Sequence, residues 1–316
     1  MTWTTDDIPD QTGRTVVVTG ANSGIGFETC KELARNGARV ILACRSIERG
    51  TEAARAIQDE VDGADVAVGR LDLASLDSIH TFAEGLADEG VSIDVLFNNA
   101  GVMAIPRAKT SKGFEMQLGV NHLGHFALTN LLLDLLAEDA RVVTVSSAVH
   151  EQGEIDFEDL HSEDSYSKWG AYAQSKLANL LFAYELDRRF DAAGSDRISV
   201  GVHPGYADTS LQRRGPRKAG SLLRLAGMKV ANALFAQPPA AGALPTLYAA
   251  TAPAVVGKAY YGPGGFLSIR GSPEKQESSP ASYDRETARR LWRLSEEQTG
   301  VTSSLPEPEA KRLTVR

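Results

Sequence analysis

The sequence predicts an α/β fold: one doubly wound parallel sheet with helices on both faces. Two observations carry this. Short runs of continuous Val, Ile and Leu alternate with helical patterns along most of the chain, and strands that are apolar throughout are buried on both faces by crossover helices. The first apolar run also opens through a glycine-rich turn directly into a helix, the junction at which such sheets hold phosphate groups.

Taken in order, "RTVVVTG" (14–20) reads as a buried strand and 24–36 as a helix. "ARVILAC" (38–44) is a second strand, followed by a charged helix over 46–61. "DVAVGRLD" (65–72) is a third, with a helix over 75–89. "IDVLFNNAG" (93–101) is a fourth, then a long helix within 113–137. "RVVTVSS" (141–147) is a fifth, and a polar loop (148–165) leads to a helix carrying Tyr172 and Lys176. "RISVGVHPG" (197–205) is a sixth strand. A last helix lies within 282–300 and ends at Gly300. No repeat or linker divides the chain. The reading is a single domain over 14–300, with an N-terminal extension (1–13), a substrate lid around 206–237 and a flexible tail (301–316).

Composition sets bounds. The 316 residues are 42% hydrophobic and 23% charged, a globular balance. The net charge of -8 opposes nucleic acid and anionic membranes. Two cysteines, Cys30 and Cys44, fit reduced thiols in a cytoplasmic protein. The polar, acidic start is not a signal peptide, and no apolar run is long enough to span a membrane.

Chemistry enters at "GAYAQSKLAN" (170–179). Tyr172 and Lys176 are four apart and share one helix face. A cation one turn away favours tyrosinate and lowers the phenol pKa, which suits a general acid or base. The alternative is an aromatic and a solvated lysine on an ordinary helix. The turn "TGANSGIG" (19–26) places Gly20, Gly24 and Gly26 around Asn22, Ser23 and Ile25 at the strand-to-helix junction. Its spacing is Gly-x-x-x-Gly-x-Gly, and its backbone can approach a pyrophosphate. The second strand ends with Cys44 and Arg45 where an NAD-binding fold usually carries an acid. A guanidinium there can bind a 2′-phosphate, which favours NADP(H). His122 and His125 lie three apart without carboxylates or cysteines at ligand spacing, so no metal site is expected. No Gly-x-Ser-x-Gly elbow points to a hydrolase.

The motifs "TGANSGIG" (19–26), "NNAG" (98–101), "VNHLG" (120–124), "VSS" (145–147), "YAQSK" (172–176) and "HPG" (203–205) occur in one order along the chain. Together they resemble the short-chain dehydrogenase/reductase family. "ACR" (43–45), "SKLAN" (175–179) and the segment from "YYGPGG" to "EEQTG" (260–300) are similar to its retinol-dehydrogenase-like branch, which includes protochlorophyllide reductase. The resemblance implies a Rossmann-type domain that interconverts a carbonyl and an alcohol by hydride transfer. Tyr172 would move the proton at the substrate oxygen. Lys176 would lower the tyrosine pKa and bond the nicotinamide ribose. Ser147 would hold the substrate oxygen, and Asn121 would support a water linking Lys176 to solvent. The resemblance further assigns cofactor contacts to Asp72, Leu73, Asn99, Ala100, Gly101, Pro204, Gly205 and Thr209. The helices after Gly113 and around Tyr172 are similar to the family's dimer surfaces, so a homodimer is an expected option. No N-terminal membrane helix or WW module is read from the sequence, so membrane location does not carry over.

In the segment 219–237, Leu223, Ala226, Val230 and Leu234 share one helical face, with Leu225, Met228 and Phe235 adding apolar surface; one more core helix is the alternative reading. An apolar lid would shelter hydride transfer and favour lipophilic aldehydes or ketones. Rival readings are a non-catalytic dinucleotide sensor, an NAD-preferring alcohol dehydrogenase and a sugar-nucleotide epimerase. The joint presence of Tyr172, Lys176 and Ser147 argues against the first, and the glycine spacing against the last.

Overall fold

The computed structural model describes residues 2–205, 238–265 and 270–309. Among them, eight strands form one sheet: β1 (Thr15–Thr19), β2 (Arg39–Cys44), β3 (Val66–Arg70), β4 (Ile93–Asn98), β5 (Leu136–Val145), β6 (Ile198–Val202), β7 (Tyr260–Pro263) and β8 (Pro273–Gln276). Their spatial order is β3-β2-β1-β4-β5-β6-β7-β8, parallel throughout except for β8 against β7. The order reverses between β1 and β4. That switch point leaves a crevice beyond the carboxyl ends of the strands, where doubly wound sheets bind ligands.

Side chains of β1 alternate between two apolar layers, as the pleat requires. Val16 and Val18 pack with Leu33 of α1 (Gly24–Arg35), Ile57 of α2 (Ile47–Glu60) and Leu247 of α7 (Pro239–Thr251). Val17 packs on the other face with Phe82 of α3 (Leu76–Asp88), Phe126 of α5 (Gly124–Leu131), Phe182 of α6 (Lys168–Ala192) and Trp292 of α8 (Arg285–Thr299).

The helix expected within 113–137 is not continuous. It comprises a single α turn, α4 (Met116–Leu118), a π turn (Gly119–Leu123), α5, and a 3-10 turn (Leu133–Leu135). At Gly124 the backbone meets the loop after β3: a Cβ there would stand 2.5 Å from the Leu73 carbonyl oxygen. The wider π turn accommodates this approach, because the Gly124 amide reaches back to the Gly119 carbonyl. β5 also starts earlier than expected, at Leu136. The stretch "LAEDA" has no strand pattern, but Leu136 pairs with Ile93 across a register shift, and Arg197 donates to the carbonyls of Leu136 and Ala137.

Three elements lay outside the sequence reading: α7, β7 and β8. Described residues of both terminal segments pack against the domain. Ile8 lies in the first apolar layer. Val301 is buried and Leu305 packs against the second layer, while Arg289 donates to the Pro308 carbonyl at 2.6 Å. The segment 206–237, expected as a lid, lies outside the described residues.

Helix α6 is buried on every side from Ala171 to Phe190. The enclosed charges at 185–189 have partners. Glu185 accepts from Arg188 at 2.7 Å, Asp187 accepts the Ser199 amide at 2.8 Å, and the Arg189 guanidinium lies 4.2 Å from the Trp292 ring centroid. Helix α8, capped by Asp284 and stopped by Gly300 at φ 70, packs through Trp292 against α5 and α6.

Candidate active site

The glycine turn closes over the end of β1. Gly20 and Gly24 adopt φ 68 and 62, conformations that favour glycine. The Gly20 amide donates to the Ala43 carbonyl at 2.8 Å. A Cβ at Gly26 would stand 2.6 Å from Asn99 Nδ2 and 2.9 Å from the Gly20 oxygen. Asn22, Ser23 and Ile25 are half-buried around it. The backbone here is accessible because side chains are sterically forbidden, and it leads into the N-terminus of α1. This fits the pyrophosphate of a dinucleotide.

The turn is braced from below. Thr19 Oγ1 accepts the amides of Asn99 and Ala100, each at 2.9 Å. Asn99 Nδ2 returns a bond to the Thr19 carbonyl at 2.7 Å. Cys44 is buried at the end of β2, and its sulfur accepts the Ala21 and Asn22 amides. Burial pushes its thiol up to about 11. Arg45 follows and is exposed. Asp72 holds the turn after β3 by accepting the Ala74 amide at 3.1 Å, and Leu73 beside it is buried. Pro204 and Gly205 follow β6, and the Gly205 amide donates to His203 Nδ1 at 3.3 Å. Thr209 lies outside the described residues.

Asn121, Ser147, Tyr172 and Lys176 come together beyond β4 and β5. Asn121 sits in the π turn. Its amide accepts from Val102 N at 2.8 Å and donates to the Val102 carbonyl at 3.0 Å and to Ser175 Oγ at 2.9 Å. A Cβ on Gly101 would stand 3.1 Å from Asn121 Oδ1 and 3.8 Å from Lys176 Nζ, so glycine leaves these groups room. Lys176 Nζ donates to the Val145 carbonyl at 2.9 Å. Ser146 ties the same strand end to α6 through its hydroxyl, which donates to the Lys176 carbonyl at 2.7 Å. Ser147 is half-buried, and its side chain acts on the Tyr172 phenol so as to favour the ionised form.

The electrostatics depart from the sequence expectation. Tyr172 is 4% exposed and Lys176 3%. Burial pushes the phenol up to about 12, with the Ser147 hydrogen bond opposing. Burial also brings the lysine down to about 8. Lys176 Nζ lies 5.8 Å from the Tyr172 ring centroid, and burial sets the direction of the phenol's shift. In a dry site the neutral form of each group is favoured.

The chain matches the short chain dehydrogenase family over residues 14–219. It belongs to that family. As a short-chain dehydrogenase it is an NAD(P)-dependent oxidoreductase acting on CH–OH and C=O groups. It is 44% identical to Retinol dehydrogenase 14 of Mus musculus, covering 92% of this chain and 86% of that protein. It is 43% identical to Retinol dehydrogenase 13 of Homo sapiens, over 92% and 85% of the two. The crystal structure of an uncharacterised protein from Mycobacterium Paratuberculosis superposes with TM-score 0.81 at 43% identity, covering 96% of this chain and all of that one.

Residues beside this site have partners that the motifs did not indicate. His122 and His125, weighed as a metal clip, serve other ends. His122 Nε2 bonds Ser295 Oγ at 2.9 Å. His125 joins the Asn121 carbonyl, through Nδ1 at 2.9 Å, to Thr19 Oγ1, through Nε2 at 2.9 Å. Burial brings these imidazoles down to about 3 and about 4. Trp169 is 49% exposed, and its ring meets Tyr172 edge-on at 6.1 Å. Its helical spacing from Tyr172, three residues, was the available signal.

Proposed function

We propose that this chain reduces a lipophilic aldehyde or ketone to its alcohol with NADPH, and runs the reverse with NADP. The observation that carries the reading is the convergence of Tyr172, Ser147, Lys176 and Asn121 on one edge of the sheet, beside the glycine turn. When bound, the nicotinamide cofactor supplies or accepts the hydride.

The chain's own groups do the rest. A phenol held near 12 is protonated at neutral pH, so Tyr172 is poised to donate a proton to the oxygen of a carbonyl. The Ser147 hydroxyl orients that oxygen by hydrogen bonding. Lys176, charged below about 8, stabilises negative charge developing at the phenol oxygen. Asn121 fixes Val102 and Ser175 and so the wall between the cofactor turn and α6. The remaining contacts assigned by resemblance fall to Gly20, Asn22, Ser23, Gly24, Ile25, Gly26, Asp72, Leu73, Asn99, Ala100, Gly101, Pro204, Gly205 and Thr209. Arg45 supports NADP over NAD, since no carboxylate at the end of β2 opposes a 2′-phosphate.

Lipophilic substrates are favoured by two observations. The relatives above are named for retinol, an apolar alcohol, and the exposed Trp169 stands at the catalytic tyrosine. Both cysteines are free and buried, which suits a reducing, cytoplasmic setting. Among the described residues no helix is long and apolar enough to cross a membrane. A homodimer through α5 and α6 would have to displace α8, so any self-association is expected at another surface.

A series of straight-chain alkanals with NADPH, followed at the nicotinamide absorbance, tests the substrate reading. kcat/KM is expected to rise with chain length, because each methylene removed from water contributes ~0.8 kcal/mol. A flat or falling series would reject a lipophilic pocket.

A further inference from the structure

We infer that His150 is a positioning residue for Ser147, clamping the Ser147 peptide to the segment after β8. The two ring nitrogens face opposite kinds of partner. Nδ1 lies 2.7 Å from the Ser147 carbonyl oxygen, which only accepts. Nε2 lies 3.0 Å from the Ser279 amide, which only donates. One tautomer satisfies both bonds: neutral imidazole with its proton on Nδ1. The ring is buried, and Tyr260 packs edge-on against it at 5.3 Å. Its burial disfavours the imidazolium, in keeping with that tautomer.

The consequence for Ser147 is geometric. Its carbonyl receives two donors from one residue, the His150 amide at 3.0 Å and Nδ1 at 2.7 Å. Both lone pairs are therefore engaged, and the peptide plane after Ser147 is fixed. The residue before it is equally constrained: the Ser146 amide donates to the Val202 carbonyl at 2.7 Å. Ser147 is thus gripped on both sides, and its side chain acts on the Tyr172 phenol. Ser279 supplies a firm anchor. It precedes the 3-10 turn Pro280–Tyr283, which is tied to α6 where Tyr184 Oη and Ser278 Oγ lie 2.8 Å apart. The helix bearing Tyr172 and the turn bearing Ser147 therefore share one brace, and His150 is the strut between them. The two hydroxyls that must meet one substrate oxygen are held at a fixed separation by it.

This inference rests on the proposed role of Ser147, and a set of variants separates the two. His150→Asn places an amide nitrogen where Nδ1 stands and keeps the bond to Ser147. His150→Gln places a terminal amide oxygen near Nε2 and keeps the bond to Ser279. Both variants give up one hydrogen bond, so a merely structural role predicts equal losses. The clamp predicts that His150→Gln and His150→Ala lower kcat roughly ten- to a hundredfold, as expected for a misplaced catalytic group. His150→Asn should stay within about threefold of the wild type, the effect of a single neutral hydrogen bond. KM for NADPH should be unchanged in all three. In a Ser147→Ala background, His150→Gln should cost nothing further, because the effect passes through the missing hydroxyl. An Asn variant as impaired as the Gln variant, or full additivity with Ser147→Ala, overturns the clamp. Should His150→Ala fail to fold, the Asn and Gln comparison still decides. Native kcat in Ser147→Ala would instead refute the role of Ser147 itself.

Discussion

Residue identity and residue environment make separate contributions at Tyr172 and Lys176. Their spacing was readable from sequence; their acidities were not. The pair suggests a phenol lowered by its neighbour, whereas burial of both groups in the folded chain reverses the sign for the tyrosine. Arg45 illustrates the opposite case. It is exposed beside the glycine turn, and its role depends on charge that sequence alone reveals. Arg45→Ala is expected to weaken NADPH binding by roughly 1.5–3 kcal/mol, the loss of a charge-assisted hydrogen bond, while NADH binding changes little. Equal losses in fluorescence titrations with the two cofactors would make Arg45 structural.

At the scale of elements, periodicity identified six strands and most helices because most of them bury an apolar set, β3 with its half-buried residues being the exception. It missed the break in the helix after Gly113. "MQLGVNHLGHFALTNL" reads as one helical run, but the close approach of Gly124 to Leu73 is a tertiary fact. It also missed β7 and β8, four residues each: β7 pairs with β6 some distance back along the chain, and β8 joins the sheet only through β7. The histidine network was hidden for the same reason: His125 touches Thr19 and His150 touches Ser279 only after folding. Helix α8 was legible as a helix but not as the cover of α5 and α6. Trp292 stacks on Phe182 at 5.6 Å and meets Phe126 edge-on at 5.0 Å. Trp292→Ala is expected to destabilise the protein by about 3–5 kcal/mol, read from the shift in a urea unfolding curve. A loss below about 1 kcal/mol would mean that α8 is not part of the folding core.

Over the whole molecule, buried imidazoles set the acid limit of stability. His122 and His125 are brought down to about 3 and about 4 by burial, while unfolded histidine titrates near ~6.5. Below that value the unfolded chain binds protons that the native state refuses, so stability is lost as pH falls. The loss approaches about 1.4 kcal/mol per pH unit for each histidine. Between about pH 6.5 and 5, above the ordinary carboxylate range, urea midpoints should therefore fall steeply with acidification. Midpoints independent of pH across that interval would contradict the buried, neutral histidines.

The central claim is that Tyr172 transfers the proton in an NADPH-dependent carbonyl reduction. Its most direct test is the single-turnover rate of NADPH oxidation with a saturating long-chain alkanal, for wild type and Tyr172→Phe, alongside NADPH affinity measured without substrate. The phenol moves a proton but does not hold the dinucleotide. The Phe variant is expected to lose about 10²–10⁴-fold in rate while its NADPH Kd stays at the wild-type value. A Phe variant that oxidises NADPH at a near-native rate would contradict the account.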